Sequence, residues 1–69
     1  MMQKQIGIHV TLYGVDGYFL GMKYMSEHDI RQTMVNHRAV EKLTIWRRAE
    51  PICYVSRNAA GRWQMPVRV

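Results

Sequence analysis

Seven arginines and three lysines are the side chains in this sequence with the most chemistry to offer. A guanidinium presents a planar fork of donors that meets a phosphate or carboxylate through two bonds, where an ammonium acts as a point charge. Arg47, Arg48, Arg57, Arg62 and Arg68 gather in the last third of the chain. Asn58-Ala59-Ala60-Gly61 reads as a turn that sets Arg57 opposite Arg62 across a hairpin mouth. Like charges placed there destabilise a strand pair unless an anion or an acidic partner relieves them. Arg47, Arg48, Arg57 and Arg62 are therefore the expected phosphate contacts, and removing Arg57 and Arg62 together is expected to leave the fold intact.

The other reactive side chains form no comparable group. Five acids are scattered along the chain, two of them (Glu27 and Asp29) at a helix start, and no nucleophile-and-base pair or pair of carboxylates is readable. The chain is read as non-enzymatic. His28 and His37 lie nine residues apart and point opposite ways on a helix, whereas a helical ligand pair needs a spacing of three or four. With His9 and Cys53 on separate hairpins, no metal site is expected. Gly14-Val15-Asp16-Gly17 lacks the following helix and lysine of a phosphate-cradling loop, so no cofactor is expected either. Tyr13, Tyr18, Phe19 and Tyr24 are of the type that stacks unpaired bases. Ordinary strand packing is the competing reading, because the basic residues lie in the other half of the sequence.

At 69 residues the chain is long enough for one domain, residues 1–69. A fold of this size buries only about 60% of its unfolded surface, so a partner or self-association is expected to supply further burial. Hydrophobic residues at 48%, with 22% charged and two prolines, exclude disorder as the main state. The net charge of +5 is unevenly spread. Residues 1–30 carry two lysines against three acids, a net −1, and residues 31–69 carry eight basic side chains against two acids, a net +6. Such a balance favours anionic partners. A single cysteine, Cys53, fits a reducing compartment, so the cytoplasm is expected. No targeting segment or apolar stretch of membrane-spanning length is readable.

The elements that would position these residues are legible in part. Ile6, Ile8, Val10 and Leu12 alternate with Gly7, His9, Thr11 and Tyr13, the period of a half-buried strand. Asp16-Gly17 supplies a two-residue hairpin loop, and Tyr18–Met25 returns with partners summing to 33. In that register Phe19 and Met25 share the face of Ile8, Val10 and Leu12. Ser26-Glu27-His28-Asp29 is a capped helix start, with Met25 and Ile30 as a hydrophobic staple. Beyond Ile30 and Met34 the apolar residues leave a single helical face. Either the helix breaks near Asn36-His37 and a second runs from Arg38 to Arg48, or it ends near Glu41 and Leu43–Arg47 is a strand; β-branched and aromatic content favours the strand. Ile52–Ser56 and Trp63–Val67 form a last hairpin. In it Ile52, Tyr54, Trp63, Met65 and Val67 share a face, Trp63 anchors the core, and Pro66 marks an edge strand.

From Ser26 onward the pattern resembles small winged-helix proteins of the phage-excisionase type: a capped helix, a second helix ending Thr44-Ile45-Trp46-Arg47-Arg48, then a hairpin with a basic tip. That resemblance implies a winged-helix arrangement as an alternative; the N-terminal hairpin has no place in it. The reading from the residues themselves is a small α+β domain. It comprises an N-terminal antiparallel hairpin, a central helix, single or split into two short ones, and a C-terminal hairpin or three-stranded meander. The expected function is binding of nucleic acid as a small regulator, through the arginine face and as a homodimer. The alternative is a protein-binding adaptor or inhibitor that engages an acidic patch on its partner.

Overall fold

Alternation in the first strand and the Asp16-Gly17 loop produce the hairpin that organises the sheet. In the computed structural model, which describes residues 7–69, β1 (Ile8–Tyr13) pairs antiparallel with β2 (Phe19–Met25). Ile6, read as the first residue of the alternation, lies outside the described residues. Asp16 and Gly17 take φ of 58° and 78°, the pair of positive values that a two-residue loop needs to follow the twist of its strands. The expected register holds from Ile8↔Met25 to Leu12↔Gly21 and then slips, so that Tyr13 pairs with Phe19. One residue of bulge turns Phe19 over. Its ring packs edge-on against Tyr13, 5.9 Å between centroids, on the face opposite Val10 and Leu12.

Helix α1 (Glu27–Asn36) begins as its cap demands, with the Ser26 hydroxyl accepting from the Asp29 amide at 3.1 Å. It ends before Glu41, and β3 (Lys42–Arg47) follows. Residues 42–47 are thus strand, and the second helix of a winged-helix arrangement is replaced by sheet. β3 pairs antiparallel with β1 on the side away from β2, so β2 and β3 run parallel to one another and their link is a crossover. Such a link has to lay its helix over one face of the sheet. Beneath α1, Ile30 meets Val10, Leu12, Met25, Val40 and Leu43, with Ile8, Met34, Ile45 and Trp63 packed around them.

The meander continues with β4 (Glu50–Ser56) and β5 (Val67–Arg68), giving the order β2-β1-β3-β4-β5. One helix on one five-stranded antiparallel sheet makes this an α+β fold. The last hairpin departs from the expected register. Arg57 pairs with Trp63, not Arg62, and Tyr54 pairs with Val67. Trp63 therefore shares the helix side with Val55 and Arg57 instead of joining Tyr54.

That shift gives Arg57 a different task. The last turn of α1 holds no basic residue, and its orphan carbonyls need donors from elsewhere. Trp63 Nε1 donates to the Met34 carbonyl at 2.8 Å, and Arg57 Nη2 reaches the same oxygen at 3.5 Å. The guanidinium also lies 4.9 Å from the Trp63 ring centroid. A cation at the negative end of a helix, on the face of an indole, is favourable on both counts.

Trp63→Ala is expected to cost about 3–5 kcal/mol and unfold so small a domain. Trp63→Phe keeps most of the packing but loses the donor, about 1–2 kcal/mol. Arg57→Met should cost about 1–2 kcal/mol. Urea midpoints at unchanged m-value measure all three, and a neutral or stabilising Arg57→Met would remove the guanidinium from the fold and return it to the surface.

Candidate nucleic-acid interface

Because α1 covers one face, the side chains of opposite parity stand on a face that no other element covers among the described residues. Strand pairing arranges them in rows. Tyr24, His9 and Trp46 lie side by side across β2, β1 and β3. The next row runs Met22, Thr11, Thr44, Tyr54, and the third runs Phe19, Tyr13, Lys42, Ser56. A face with five aromatic rings and a histidine is assembled from four strands.

The first row is packed ring to ring. Trp46 Nε1 donates to Thr11 Oγ1 at 3.0 Å, which ties the indole down over the buried Thr11–Thr44 pair. His9 stacks on Tyr24 at 4.9 Å and 21° between planes, and it lies 6.4 Å from Trp46. Its Nε2 is buried with no hydrogen-bond partner. Tyr24, at the outer end, is 76% exposed. In the third row Lys42 Nζ sits 4.6 Å from the Tyr54 centroid and 5.8 Å from that of Tyr13, so its charge is held between two rings at the plane of the face.

The arginines do not form one cluster. Arg47 and Arg48 are at the β3–β4 turn, while Arg57 and Arg62 lie beyond the other end of β4, past Ser56. Seven residues of strand put roughly 20 Å between the two pairs. Arg57 is held against α1, and Arg62 is exposed on the Asn58–Gly61 turn, where the Asn58 side chain accepts from its amide at 3.0 Å. Arg57 is not free on the surface as the sequence reading has it: its Nη2 donates to the Met34 carbonyl, so removing Arg57 and Arg62 together should carry a stability cost.

Arg47 and Arg48 instead join the aromatic row. A groove of about 610 Å³ is lined by His9, Tyr24, Trp46, Arg47 and Arg48, among others. The only ion pair among the described residues joins Arg31 to Glu27, which leaves both groove arginines without a carboxylate partner there. The turn that carries them is strained: Arg48 and Ala49 have φ of 51° and 67°, a region in which a side chain costs energy that glycine avoids. A more open hollow of about 710 Å³ between β2 and α1 is lined by polar helix side chains, with Asp29 between Lys23 of β2 and Arg38 beyond the helix end.

His9, Lys42, Trp46 and Tyr54 had no place in the sequence-derived site. The period-two run Lys42-Thr44-Trp46 carries the signal, but its meaning depends on β3 pairing with β1, which local pattern does not specify. No group of three or more metal-ligating side chains occurs among the described residues. No protein-family model, curated protein or solved structure matches the chain.

Ala49→Gly should raise stability by roughly 1 kcal/mol, because glycine adopts this φ without strain. Thr11→Val should cost about 1 kcal/mol and release the indole, since valine keeps the shape but offers no acceptor. Thermal melts with Trp fluorescence anisotropy would test the pair; an unchanged Ala49→Gly midpoint would mean the turn is relaxed in solution.

Proposed function

We propose that this protein is a non-enzymatic nucleic-acid-binding protein of a reducing, cytoplasmic compartment, and that its ligand is single-stranded. Bases stack on Tyr24 and Trp46, and Arg47 and Arg48 take the adjoining phosphates. The observation that carries this reading is the coincidence, at one corner of a sheet face uncovered among the described residues, of an aromatic row and two arginines without acidic partners there. Stacking on exposed rings is worth about 1–3 kcal/mol per base and tolerates any sequence, while cationic side chains beside the rings follow the backbone. A duplex keeps its bases stacked on one another and offers the rings nothing, so the aromatic row favours an unpaired strand over double helix. No helix among the described residues is long and apolar enough to cross a membrane, and the net charge of +5 supports an anionic partner.

Fluorescence anisotropy with labelled ten-nucleotide DNA and RNA, single- and double-stranded, tests this at several salt concentrations. Tyr24→Ala should weaken single-strand binding about tenfold or more with an unchanged melting temperature. Replacing Arg47 by Ala and Arg48 by Gly should flatten the log-log salt slope by roughly 1.4, about 0.7 for each phosphate that is no longer neutralised. Duplex bound as tightly as single strand would discard the stacking role. Absence of any binding at about 50 mM salt, where even non-specific contacts are strong, would replace this reading with the adaptor that meets an acidic protein surface.

A further inference from the structure

The two edges of the sheet are unequal. β5 is two residues long and follows Pro66 directly, which leaves little ladder to extend. β2 is seven residues long, contains no proline and carries one charge, Lys23. Among the described residues it has a strand neighbour on one side only, so alternate amides and carbonyls along Phe19–Met25 face outward. Tyr18, Phe19, Met22 and Tyr24 are all more than half exposed beside that edge. We infer that β2 is a self-association edge that pairs antiparallel with β2 of a second copy.

Three observations select a second copy. With one competent edge among the described residues, strand addition is isologous and closes at two copies, whereas two competent edges would propagate a fibre. With Tyr24 left free for a base, the exposed parts of Tyr18, Phe19, Leu20 and Met22 amount to roughly 430 Å² per chain at about 200 Å² for a large side chain. A pair of chains thus covers about 860 Å² beside the paired backbone, the range of a weak, reversible dimer. Finally, the excess positive charge lies elsewhere in the sequence: no arginine precedes residue 31, and Asp16, Glu27 and Asp29 flank the strand that holds Lys23. A two-fold axis through Met22 also separates the lysines. It sets each Lys23 opposite Gly21 of the other copy, where a Cβ would meet nothing within 4 Å. Both helices then lie on one side of a continuous ten-stranded sheet, and both aromatic faces on the other.

Sedimentation equilibrium without nucleic acid, from about 2 to 100 µM, should show a transition from 8.2 kDa to twice that mass. Met22→Lys and Met22→Glu should each raise the dissociation constant at least about tenfold, since either places like charges at the axis, while Met22→Leu should preserve it. Circular dichroism checks that the variants fold. Should they fail to fold, hydrogen exchange of the wild type decides: β2 amides should gain protection at the higher concentration and β4 amides should not. A monomer throughout, a dimer unchanged in folded charged variants, assembly beyond two copies, or β2 protection independent of concentration would each overturn the inference. These readouts are independent of nucleic-acid binding, so either proposal can fail alone.

Discussion

A helix of ten residues is about 15 Å long, and a sheet of five strands is about 19 Å across between its outer strands. Among the described residues, that one helix covers one face of the sheet and no element covers the other. The crossover from β2 to β3 decides which face is covered, because it brings Ile30 and Met34 down on Val10, Leu12 and Leu43. Every residue of the opposite parity is then left on the open side, whatever its chemistry. Thr11 and Thr44 are buried there only because larger neighbours lean over them. The open face is thus a consequence of the topology of the described residues, and the rings of β1, β2, β3 and β4 make it aromatic.

The core has to be closed at one end as well. β5 contributes two residues of ladder, too little to hold the C-terminal segment by itself. Trp63 and Arg57 supply the attachment by sharing the Met34 carbonyl at the end of α1. A helix whose last turn has no cation of its own thereby gains one from β4's extension. That position turns Nη2 of Arg57 to the helix end, about a strand's length from the groove on which Arg47 and Arg48 stand together.

Legibility in the sequence followed the range of the interaction. The first hairpin, its loop, the helix cap and the Ile30–Met34 stripe are specified by residues a few positions apart, and each is found where local rules place it. Single-residue slips were hidden. One bulge moved Phe19 to the other face, and a one-residue difference at the last turn exchanged Arg62 for Trp63 opposite Arg57. Since side chains alternate, a slip of one position reverses every assignment beyond it. Strand order was hidden for a different reason: β3 could have paired with β2 or β1, and only the collective burial of Leu43, Val40 and Ile45 under α1 favours β1. The aromatic row joins residues 9, 24 and 46 and was out of reach of any window of sequence.

Several local costs coincide at one corner of the sheet. His9 keeps a buried Nε2 without a partner, Tyr24 leaves most of its ring in solvent, and Arg48 and Ala49 occupy a backbone region where glycine would be unstrained. An unsatisfied buried nitrogen costs about 1–3 kcal/mol, and each positive φ about 1–2 kcal/mol. In a domain with only about 5–15 kcal/mol to spare, such terms are a sizeable fraction of the total. None of them improves the core under α1, which lies on the other side of the sheet. Conflicts between local rules and the fold tend to fall where a protein binds or reacts. Here His9, Arg48 and Ala49 line the groove, while the other two such costs, the buried Nε of Arg57 and the positive φ of Asp16, fall at the helix end and at the first hairpin loop.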